Sequence, residues 1–451
     1  MSIQAIFFTL ITITVFYLAF RRYRRVARII YLGKNEEISG HRKLRWRNVL
    51  LVAFGQQKMF KRWLPALFHG FIYVAFLLTQ IELIEIFIDG FSGRHRFFSN
   101  KLGALYPLVL NLIELLSVLA FIATLIFLAR RNLLKVKRFW KPEMKGWPFL
   151  DANLILIGEI LLILGIMTMN GADQVLQSLE PAHYRPTGTL WMSASLVSPL
   201  IHNLSVGTLE ILERSGWWLH ILVVYGFLLY LPYSKHLHIL LAFPNTYYSR
   251  LKPRGRMDNI PEITRELKSM LGLASDEGEQ PSTEIPEFGA SDIDQLSWKS
   301  IMDAYTCTEC GRCTSVCPAN LTGKKLSPRK ILMDIRDRAE EIYTRLESKD
   351  AKYLKAEAKD QPLSLANFND GENLFNRISD EEIWACTTCN ACVEACPVMI
   401  DPLDPILQMR RYKILNESSG PPDWLPMFNS LESGGSVWQV SEDRESWYKR
   451  V

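Results

Sequence analysis

Residues 306–318 read TCTECGRCTSVCP, and residues 385–397 repeat the same arrangement as ACTTCNACVEACP. In each stretch, three cysteines stand at every third position, and a fourth follows four residues later, directly before a proline. The two stretches contain all eight cysteines of the 451-residue chain, which are Cys307, Cys310, Cys313, Cys317, Cys386, Cys389, Cys392 and Cys396. This repeat is the strongest structural signal in the sequence.

The spacing of the cysteines predicts two [4Fe–4S] clusters with crossed ligands. Three thiolates at intervals of three residues surround one cluster, and the cysteine before proline ligates the other cluster. The first predicted ligand set is Cys307, Cys310, Cys313 and Cys396. The second predicted set is Cys386, Cys389, Cys392 and Cys317. Disulfides and zinc are the alternatives, but two complete repeats with a trailing proline favour iron–sulfur clusters.

The residues around these stretches predict a mainly helical domain at 298–410. Sixty-eight residues separate Cys317 from Cys386, and the segment SPRKILMDIRDRAEEIYTRLE has helical periodicity, with Pro328 at the first helical position. Residues 251–297 are rich in Pro, Gly, Ser and acids, so a partly flexible linker is predicted there. Residues 411–451 form a tail that we expect to dock a partner, although packing on the domain is the alternative.

The first half of the chain is predicted to be a transmembrane bundle, residues 1–250. A membrane-spanning helix needs about 20 mostly apolar residues. Five segments qualify: Ile3–Phe20, Leu64–Ile88, Leu105–Ala129, Phe149–Met169 and Trp217–Leu237. The first resembles a signal peptide in length, but its positive charges follow the apolar run instead of preceding it. The predicted fold class is therefore all-α: five transmembrane helices, then a helical dicluster ferredoxin domain.

Loop charges predict the orientation in the membrane. Residues 21–62 hold 13 Lys/Arg and residues 130–147 hold seven, whereas residues 89–104 hold three and residues 170–216 hold two. Because cytoplasmic loops carry the excess of Lys/Arg, we expect the N-terminus outside and the cysteine domain in the cytoplasm. The basic loops suit anionic lipid headgroups, so lipid is the predicted contact and nucleic acid is not. Residues 190–206 are apolar but contain Pro199, and are predicted to lie at the outer interface without crossing.

Four histidines lie in or beside the apolar segments: His69, His202, His220 and His238. Ionisable groups inside a bilayer are costly and usually functional. His220 and His238 are 18 residues apart, which is five helical turns, so one face of a continuous last helix would carry both. His236 would then point away from that face. Two imidazoles from facing helices are able to clamp a b-type haem.

The first half resembles the cytochrome b (gamma) subunit of respiratory nitrate reductases and the membrane subunit of heterodisulfide reductase. The resemblance rests on Phe68-His69, on His220, and on the segment Ser234-Lys235-His236-Leu237-His238. It implies that His69 and His238 ligate a haem b near the cytoplasmic face. Where the family has a further histidine on the second helix, this chain has Thr79. A second haem on His220 would therefore need His202 as its other ligand.

The second half resembles the helical dicluster domain of heterodisulfide reductase small subunits and of succinate dehydrogenase iron–sulfur subunits. This resemblance rests on the motif TCTECGRCTSVCPAN, which is followed by GKKLSPRKI. Together the two halves resemble membrane iron–sulfur oxidoreductases of the heterodisulfide-reductase type, over residues 20–250 and 295–450. The resemblance implies electron transfer between a quinone, as exchangeable substrate, and a cytoplasmic partner, in a bacterial inner membrane. Longer members continue into cysteine-rich CCG modules. Because no cysteine follows Cys396 here, we expect a separate CCG-domain iron–sulfur or flavoprotein subunit.

Two other functions stay open from the sequence. The apolar half could be a haem-free anchor and scaffold for a ferredoxin module, in which case its histidines are interfacial. A redox-linked ion pump would rest on intramembrane carboxylates, which are Glu82, Glu85, Glu114 and Glu159. These carboxylates either accept protons from a quinol or pair with a neighbouring helix. No Gly-rich nucleotide loop is present, so no NAD or FAD site is predicted.

Overall fold

A computed structural model describes residues 3–179, 184–253, 255–257, 259–273, 288–358, 361–437 and 448. The protein is 71% helical, and the described residues form no strand. The longer helices are α1 (Ile3–Ile30), α2 (Trp63–Ser92), α3 (Leu105–Asn132), α4 (Trp147–Leu179), α5 (Val206–Tyr230), α6 (His238–Tyr247), α7 (Pro261–Met270), α8 (Trp298–Thr306), α9 (Pro328–Ser348), α10 (Leu403–Leu415) and α11 (Trp424–Gly434). The all-α prediction is confirmed.

Helices α1 to α5 form a bundle in which each helix is long and apolar enough to cross a membrane. Many of their apolar side chains face outward, as those of lipid-exposed helices do, including Phe7, Leu10 and Ile13 of α1. Helices α4 and α5 pack most closely where two glycines meet. A Cβ on Gly216 would lie 2.6 Å from the backbone nitrogen of Met169, so only glycine permits this approach. The prediction of five spans is confirmed.

The last span differs from the predicted helix. Helix α5 ends at Tyr230, and two short 3₁₀ turns, Leu231–Tyr233 and Lys235–Leu237, lead into α6, which begins at His238. Pro232 lacks a backbone N–H and cannot continue the hydrogen-bonding ladder. His220 and His238 therefore do not share one face of one helix, and that prediction was wrong.

Residues 190–206 form two short helices, Trp191–Leu196 and Ser198–Ile201, instead of a sixth span. They lie against the bundle at the end opposite the cysteines. Ser193 is fully buried, and its backbone N–H donates to Glu114 Oε2 at 3.2 Å. The end of α2 and the loop after it are held at this same end by Arg96, which donates to Asn170 Oδ1 at 2.6 Å and pairs with Glu82 and Asp173.

The predicted linker, residues 251–297, contains more structure than expected. Residues 261–270 form α7, and residues 288–297 belong to the cysteine domain, since Ala290, Ile293 and Leu296 are fully buried in its core. Residues 274–287 lie outside the described part. The cysteine domain, here residues 288–437, therefore begins about ten residues earlier than the polar composition indicated.

The membrane bundle and the cysteine domain share one apolar core. Val26, Ile29 and Ile30 at the end of α1 pack in the same buried cluster as Ile301 of α8. Gly33 makes the close approach possible, because a Cβ there would lie 2.7 Å from the carbonyl oxygen of Leu296. Short helices complete the fold: Arg42–Asn48, Val49–Phe54 (a π-helix), Met59–Arg62, Ser99–Leu102, Lys137–Phe139, Pro142–Met144, Ile293–Gln295, Thr314–Val316, Pro318–Leu321, Ala351–Tyr353, Ala356–Ala358, Leu365–Asn367, Leu374–Asn376, Asp380–Trp384 and Ala391–Ala395.

Candidate functional site: two cysteine loops and a histidine group

The two cysteine stretches have the same backbone conformation. Glu309 and Thr388, each two residues after the first cysteine, have φ of 52° and 55°. Gly311 and Asn390, each two residues further, have φ of 68° and 59°. Left-handed residues are uncommon outside glycine, so their recurrence at matched positions shows that both loops curl in the same way. The two stretches therefore present their cysteines on loops of the same backbone shape.

The first group brings together four thiols from both stretches. Burial raises the pKa of Cys313 well above its ordinary value, and the nearby thiols of Cys307, Cys310 and Cys396 raise it further. Cys307, Cys313 and Cys396 are buried, and Cys310 is partly exposed. Cys396 therefore lies near the three cysteines of the other stretch, and Cys392 also lies near Cys313. The crossed ligand sets stay a prediction.

The second group combines three cysteines of the second stretch with Cys317 of the first. Cys386, Cys389, Cys392 and Cys317 together line a small partly enclosed cavity, closed on its other sides by apolar residues such as Leu403 and Ile406. Cys317 and Cys392 are buried, Cys386 is partly exposed and Cys389 is exposed. The cavity opens near Cys389, so this group lies closer to solvent than the first.

The chemistry of both groups fits iron–sulfur clusters. The backbone N–H of Glu309 donates to Cys307 Sγ at 3.4 Å, and that of Ile400 donates to Cys396 Sγ at 3.3 Å. Such donors favour the anionic sulfur of a metal-bound thiolate. Burial raises the pKa of the Cys307 thiol to about 12, so this thiol would stay protonated without a metal. Cluster insertion would therefore release protons from these residues.

A buried arginine supports the first loop from the bundle side. Arg329 of α9 is fully buried, pairs with Glu143 Oε1 at 2.7 Å and donates to the carbonyl oxygen of Arg138 at 2.7 Å. Its guanidinium lies directly against Gly311, where a Cβ would approach Nη1 to 2.7 Å. The first loop is therefore fixed between α9 and the loop that joins α3 to α4.

Three histidines lie together at the bundle end that meets the cysteine domain. His69 Nδ1 lies 3.0 Å from Gln56 Oε1, and His238 Nδ1 lies 3.0 Å from the carbonyl oxygen of Lys235. A carbonyl acceptor at Nδ1 fixes the tautomer that leaves Nε2 free to bind a metal. Burial lowers the pKa of His236 to about 3, and the charges of His238 and His69 lower it further, which places all three side by side.

His236 was missed by the sequence reasoning. Its ring centroid lies 5.7 Å from that of His238, because the segment is a 3₁₀ turn that enters a new helix and not a continuous α-helix. Its Nε2 lies 3.9 Å from Glu159 Oε1 of α4. Pro232 was the signal in the sequence that the last span ends before these histidines.

His238 is joined to the first cysteine loop through one residue, and His69 is joined to it through the short segment from Gln56 to Lys58. Lys235, whose carbonyl meets His238, makes a buried ion pair with Glu309 in that loop. On the other side, Arg312 of the loop donates to the carbonyl oxygen of Lys58, two residues from the Gln56 that meets His69. Burial raises the pKa of Glu309, but Lys235 and Arg336 outweigh burial and hold that pKa below its ordinary value.

His202 and His220 are not brought together. His202 is exposed before α5, with Nδ1 2.9 Å from the carbonyl oxygen of Pro199. His220 is buried between α4 and α5, with Nδ1 3.0 Å from the carbonyl oxygen of Leu162. Fourteen residues of α5 separate His220 from Val206, which corresponds to about 20 Å. The structure therefore does not support these two residues as ligands of one haem.

The intramembrane carboxylates have partners. Glu85 accepts from Tyr106 and from the backbone N–H of Phe98, both at 2.7 Å. Together with Glu82 and Glu114, it ties the loops at the far end to the helices. Glu159 lies apart from them, near His236, and accepts from Thr124 at 3.1 Å. Glu82, Glu85 and Glu114 therefore fit the alternative in which the carboxylates pair with neighbouring helices.

The described part of the tail packs partly on the second cysteine group. Trp424 of α11 lies 5.0 Å, centroid to centroid, from Trp384, two residues before Cys386. Leu425 and Phe428 of the same helix are exposed. Two further tryptophans of the tail, Trp438 and Trp447, lie outside the described residues.

Comparison with known proteins gives the same domain. Residues 306–400 match the family model of the 4Fe-4S dicluster domain. The chain is 28% identical to the "Probable iron-sulfur-binding oxidoreductase FadF" of Bacillus subtilis, over 98% of this chain and 60% of the relative. It is 25% identical to the "EtfAB:quinone oxidoreductase" of Syntrophomonas wolfei, over 88% of this chain and 52% of the relative. The chain thus spans little more than half the length of these two relatives.

Shorter matches cover a quarter to a third of the chain. The "Probable membrane-anchored ferredoxin" of Chromohalobacter salexigens is 30% identical over 32% of this chain and 23% of the relative. Further homologues are heterodisulfide reductase subunits of two Methanosarcina species and a similar protein of Archaeoglobus profundus. No solved structure matches the chain. The homologues are iron–sulfur oxidoreductases and ferredoxin-like subunits, and this chain is a membrane protein that carries their 4Fe–4S dicluster domain.

Proposed function

We propose that the chain conducts electrons between a quinone in a bacterial inner membrane and a cytoplasmic partner. The path would run from a haem b between His69 and His238 to a [4Fe–4S] cluster on Cys307, Cys310, Cys313 and Cys396. It would continue to a second cluster on Cys386, Cys389, Cys392 and Cys317. Each of these groups, when bound, supplies one-electron chemistry. The observation that carries the proposal is the connection of both histidines to the loop of the first cysteine group, from His238 through Lys235 and from His69 through the segment Gln56 to Lys58.

The protein's own residues set the order of the carriers. The first cysteine group lies against the bundle, where Arg312 and Arg138 interact electrostatically with Cys310. Positive charge beside a cluster favours its reduced state. The second group borders solvent through Cys389, which suits transfer to a soluble protein. The relative named as an EtfAB:quinone oxidoreductase supports a quinone on one side and an EtfAB-type protein on the other. A CCG-domain iron–sulfur subunit is the other partner that we propose.

A second function is favoured by a different relative. The name "membrane-anchored ferredoxin" describes a cluster domain held at a membrane, and our alternative is a haem-free anchor for such a domain. In that case Lys235 and Arg312 serve only to fasten the cysteine domain to the bundle. Haem content separates the two functions, because both require the iron–sulfur clusters and only the first requires haem.

The deciding experiment is a pyridine haemochrome assay with non-haem iron on detergent-purified protein. We expect about one haem b and roughly eight non-haem irons per chain, with menadiol able to reduce the haem. His238→Ala should remove the haem and leave the iron, whereas His202→Ala, at an exposed histidine, should leave both unchanged. Full iron with no haem in protein purified under mild conditions would establish the anchor instead.

A further inference from the structure

A second cavity lies between the membrane bundle and the cysteine domain, away from the cysteine groups. Its volume is about 580 Å³, within the range of small-molecule sites. One wall is the last turn of α1, with Ala27 and Tyr31, and the loop that follows it. The opposite walls are α6, with Pro244 and Tyr248, and α8, with Trp298. The cavity thus lies at the end of α1 that meets the cysteine domain, beyond the apolar run that ends at Phe20.

The walls suit a flat aromatic ligand with polar edges. The Trp298 ring lies 6.3 Å from the Tyr31 ring and 5.2 Å from the Tyr248 ring, measured between centroids. Asn35 and Glu36, from the loop after α1, supply a polar rim. Aromatic walls with a few polar groups are the usual composition of a site for a ring compound of this size.

The polar rim is held in place by the backbone. The Lys34 N–H donates to the carbonyl oxygen of Leu296 at 2.7 Å, and the Trp298 N–H donates to that of Lys34 at 3.0 Å. The indole N–H of Trp298 donates to the carbonyl oxygen of Glu36 at 2.9 Å. In the described part of the chain, Glu36 Oε2 is buried without a hydrogen-bond donor, and Arg250 Nη2 lies 3.7 Å away.

The cavity also lies on the two helices that carry the redox residues. Helix α6 begins at His238, and Pro244 follows six residues later, which is about 9 Å along the axis. Helix α8 ends at Thr306, next to Cys307 of the first cysteine group. Trp298 is nine positions before Cys307, about 14 Å along the axis of α8. A ligand in the cavity would therefore lie roughly 10 to 15 Å from the residues predicted to hold the two carriers.

We propose that this cavity is the binding site of the quinone headgroup. The inference rests on the proposed function. A quinol that leaves as quinone loses two electrons and two protons. The electrons would pass singly to the carriers predicted at His238 and at the first cysteine group, and Glu36 and the exposed Glu37 would accept the protons and release them to water. Quinone reduction is the reverse, with the same residues delivering the protons.

The test fills the cavity and measures binding, not turnover. Ala27 is an exposed residue of α1, so Ala27→Phe should fold and place a ring in the cavity. Thr14→Phe adds the same ring at an exposed position of the same helix and is the matched control. Using radiolabelled menadione and purified full-length protein, we expect saturable binding that Ala27→Phe weakens at least about tenfold. Thr14→Phe should bind like the wild type.

A photoreactive azido-naphthoquinone gives an independent readout. It should label peptides that contain Tyr31 or Trp298, and excess menadione should suppress the labelling. Saturable binding that Ala27→Phe leaves unchanged, or labelling confined to other peptides, would overturn the cavity assignment and leave the quinone reaction standing. Failure of menadiol to reduce wild-type protein that contains haem would refute the proposed function itself. His238→Ala should lose haem and still bind menadione.

Discussion

The two cysteine loops are nearly the same in backbone and very different in surroundings. In the first loop, Glu309 is buried in ion pairs with Lys235 and Arg336, and Gly311 lies directly under Arg329. At the matched positions of the second loop stand Thr388 and Asn390, which are only partly buried. The first loop is enclosed by charged residues of the bundle and of α9, whereas the second borders solvent.

Two copies of one cysteine motif therefore share a backbone shape and differ in their surroundings. The spacing of the cysteines and the left-handed turns set the shape of both loops. The neighbours then enclose the first loop, whereas the second loop meets the bundle side through Val393, whose carbonyl oxygen accepts from Lys58 at 3.3 Å, and is exposed at Cys389. The comparison leads to four predictions, beginning with the largest expected effect.

The crossed ligands are the sharpest test of the repeat. Cys317→Ser should destroy the cluster of the second group, and therefore give the same residual electron paramagnetic resonance spectrum as Cys389→Ser. Cys396→Ser should likewise match Cys310→Ser, with roughly half the iron lost in each variant. Thr387→Ser, an exposed substitution within the second stretch, is the control. If Cys317→Ser matched Cys310→Ser instead, each stretch would hold its own fourth ligand.

Exchanging the matched left-handed residues separates the two environments. Gly311→Asn keeps a residue that tolerates a positive φ, but its side chain meets the guanidinium of Arg329, which would lie 2.7 Å from the new Cβ. We expect loss or distortion of the first cluster, measured by iron content and by its spectrum. Asn390→Gly, the reciprocal change, should retain the second cluster. Equal effects of the two changes would mean that the surroundings do not distinguish the loops.

Removing the charge of Glu309 tests the contact with the bundle. Glu309→Gln removes the nearer carboxylate from the buried Lys235, which keeps Asp151 at 3.8 Å and a hydrogen bond to the carbonyl oxygen of Pro148 at 2.6 Å. Breaking a buried ion pair costs about 3 kcal/mol. The midpoint of thermal unfolding of the cysteine domain should fall, as monitored by loss of cluster absorbance on heating. Thr388→Asn, at the matched position, should shift the midpoint far less. A similar shift in both variants would show that the ion pair adds little.

Exposure predicts the smallest effect, a difference in oxidative damage. Cys389 is exposed, whereas three of the four cysteines in the first group are buried. Mild treatment with ferricyanide should therefore degrade the second cluster several times faster than the first. Time-resolved electron paramagnetic resonance of the partly oxidised protein would measure the two rates. Faster loss of the first cluster would contradict the expectation that the second cysteine group is the more accessible to solvent.

Much of the fold was predictable because it depends on local patterns. Runs of apolar residues predicted five spans, and the structure has five helices long enough to cross a membrane. The grouping of Cys396 with the first three cysteines also agrees with the spacing, although its role as a ligand remains a proposal. The end of the last span was predicted wrongly, because its apolar run continues past Pro232 and hides the break that brings His236 beside His238.

The sequence by itself determined the chemistry of the cysteine loops and the division of the chain into apolar and polar halves. Both depend on residue type and on spacings of a few positions. Only the tertiary structure decided how the halves meet. The ion pair of Lys235 with Glu309 and the cavity beside Trp298 both join residues that are far apart in the chain. Packing also keeps His202 away from His220. Such contacts depend on the packing of whole helices, which no local pattern records.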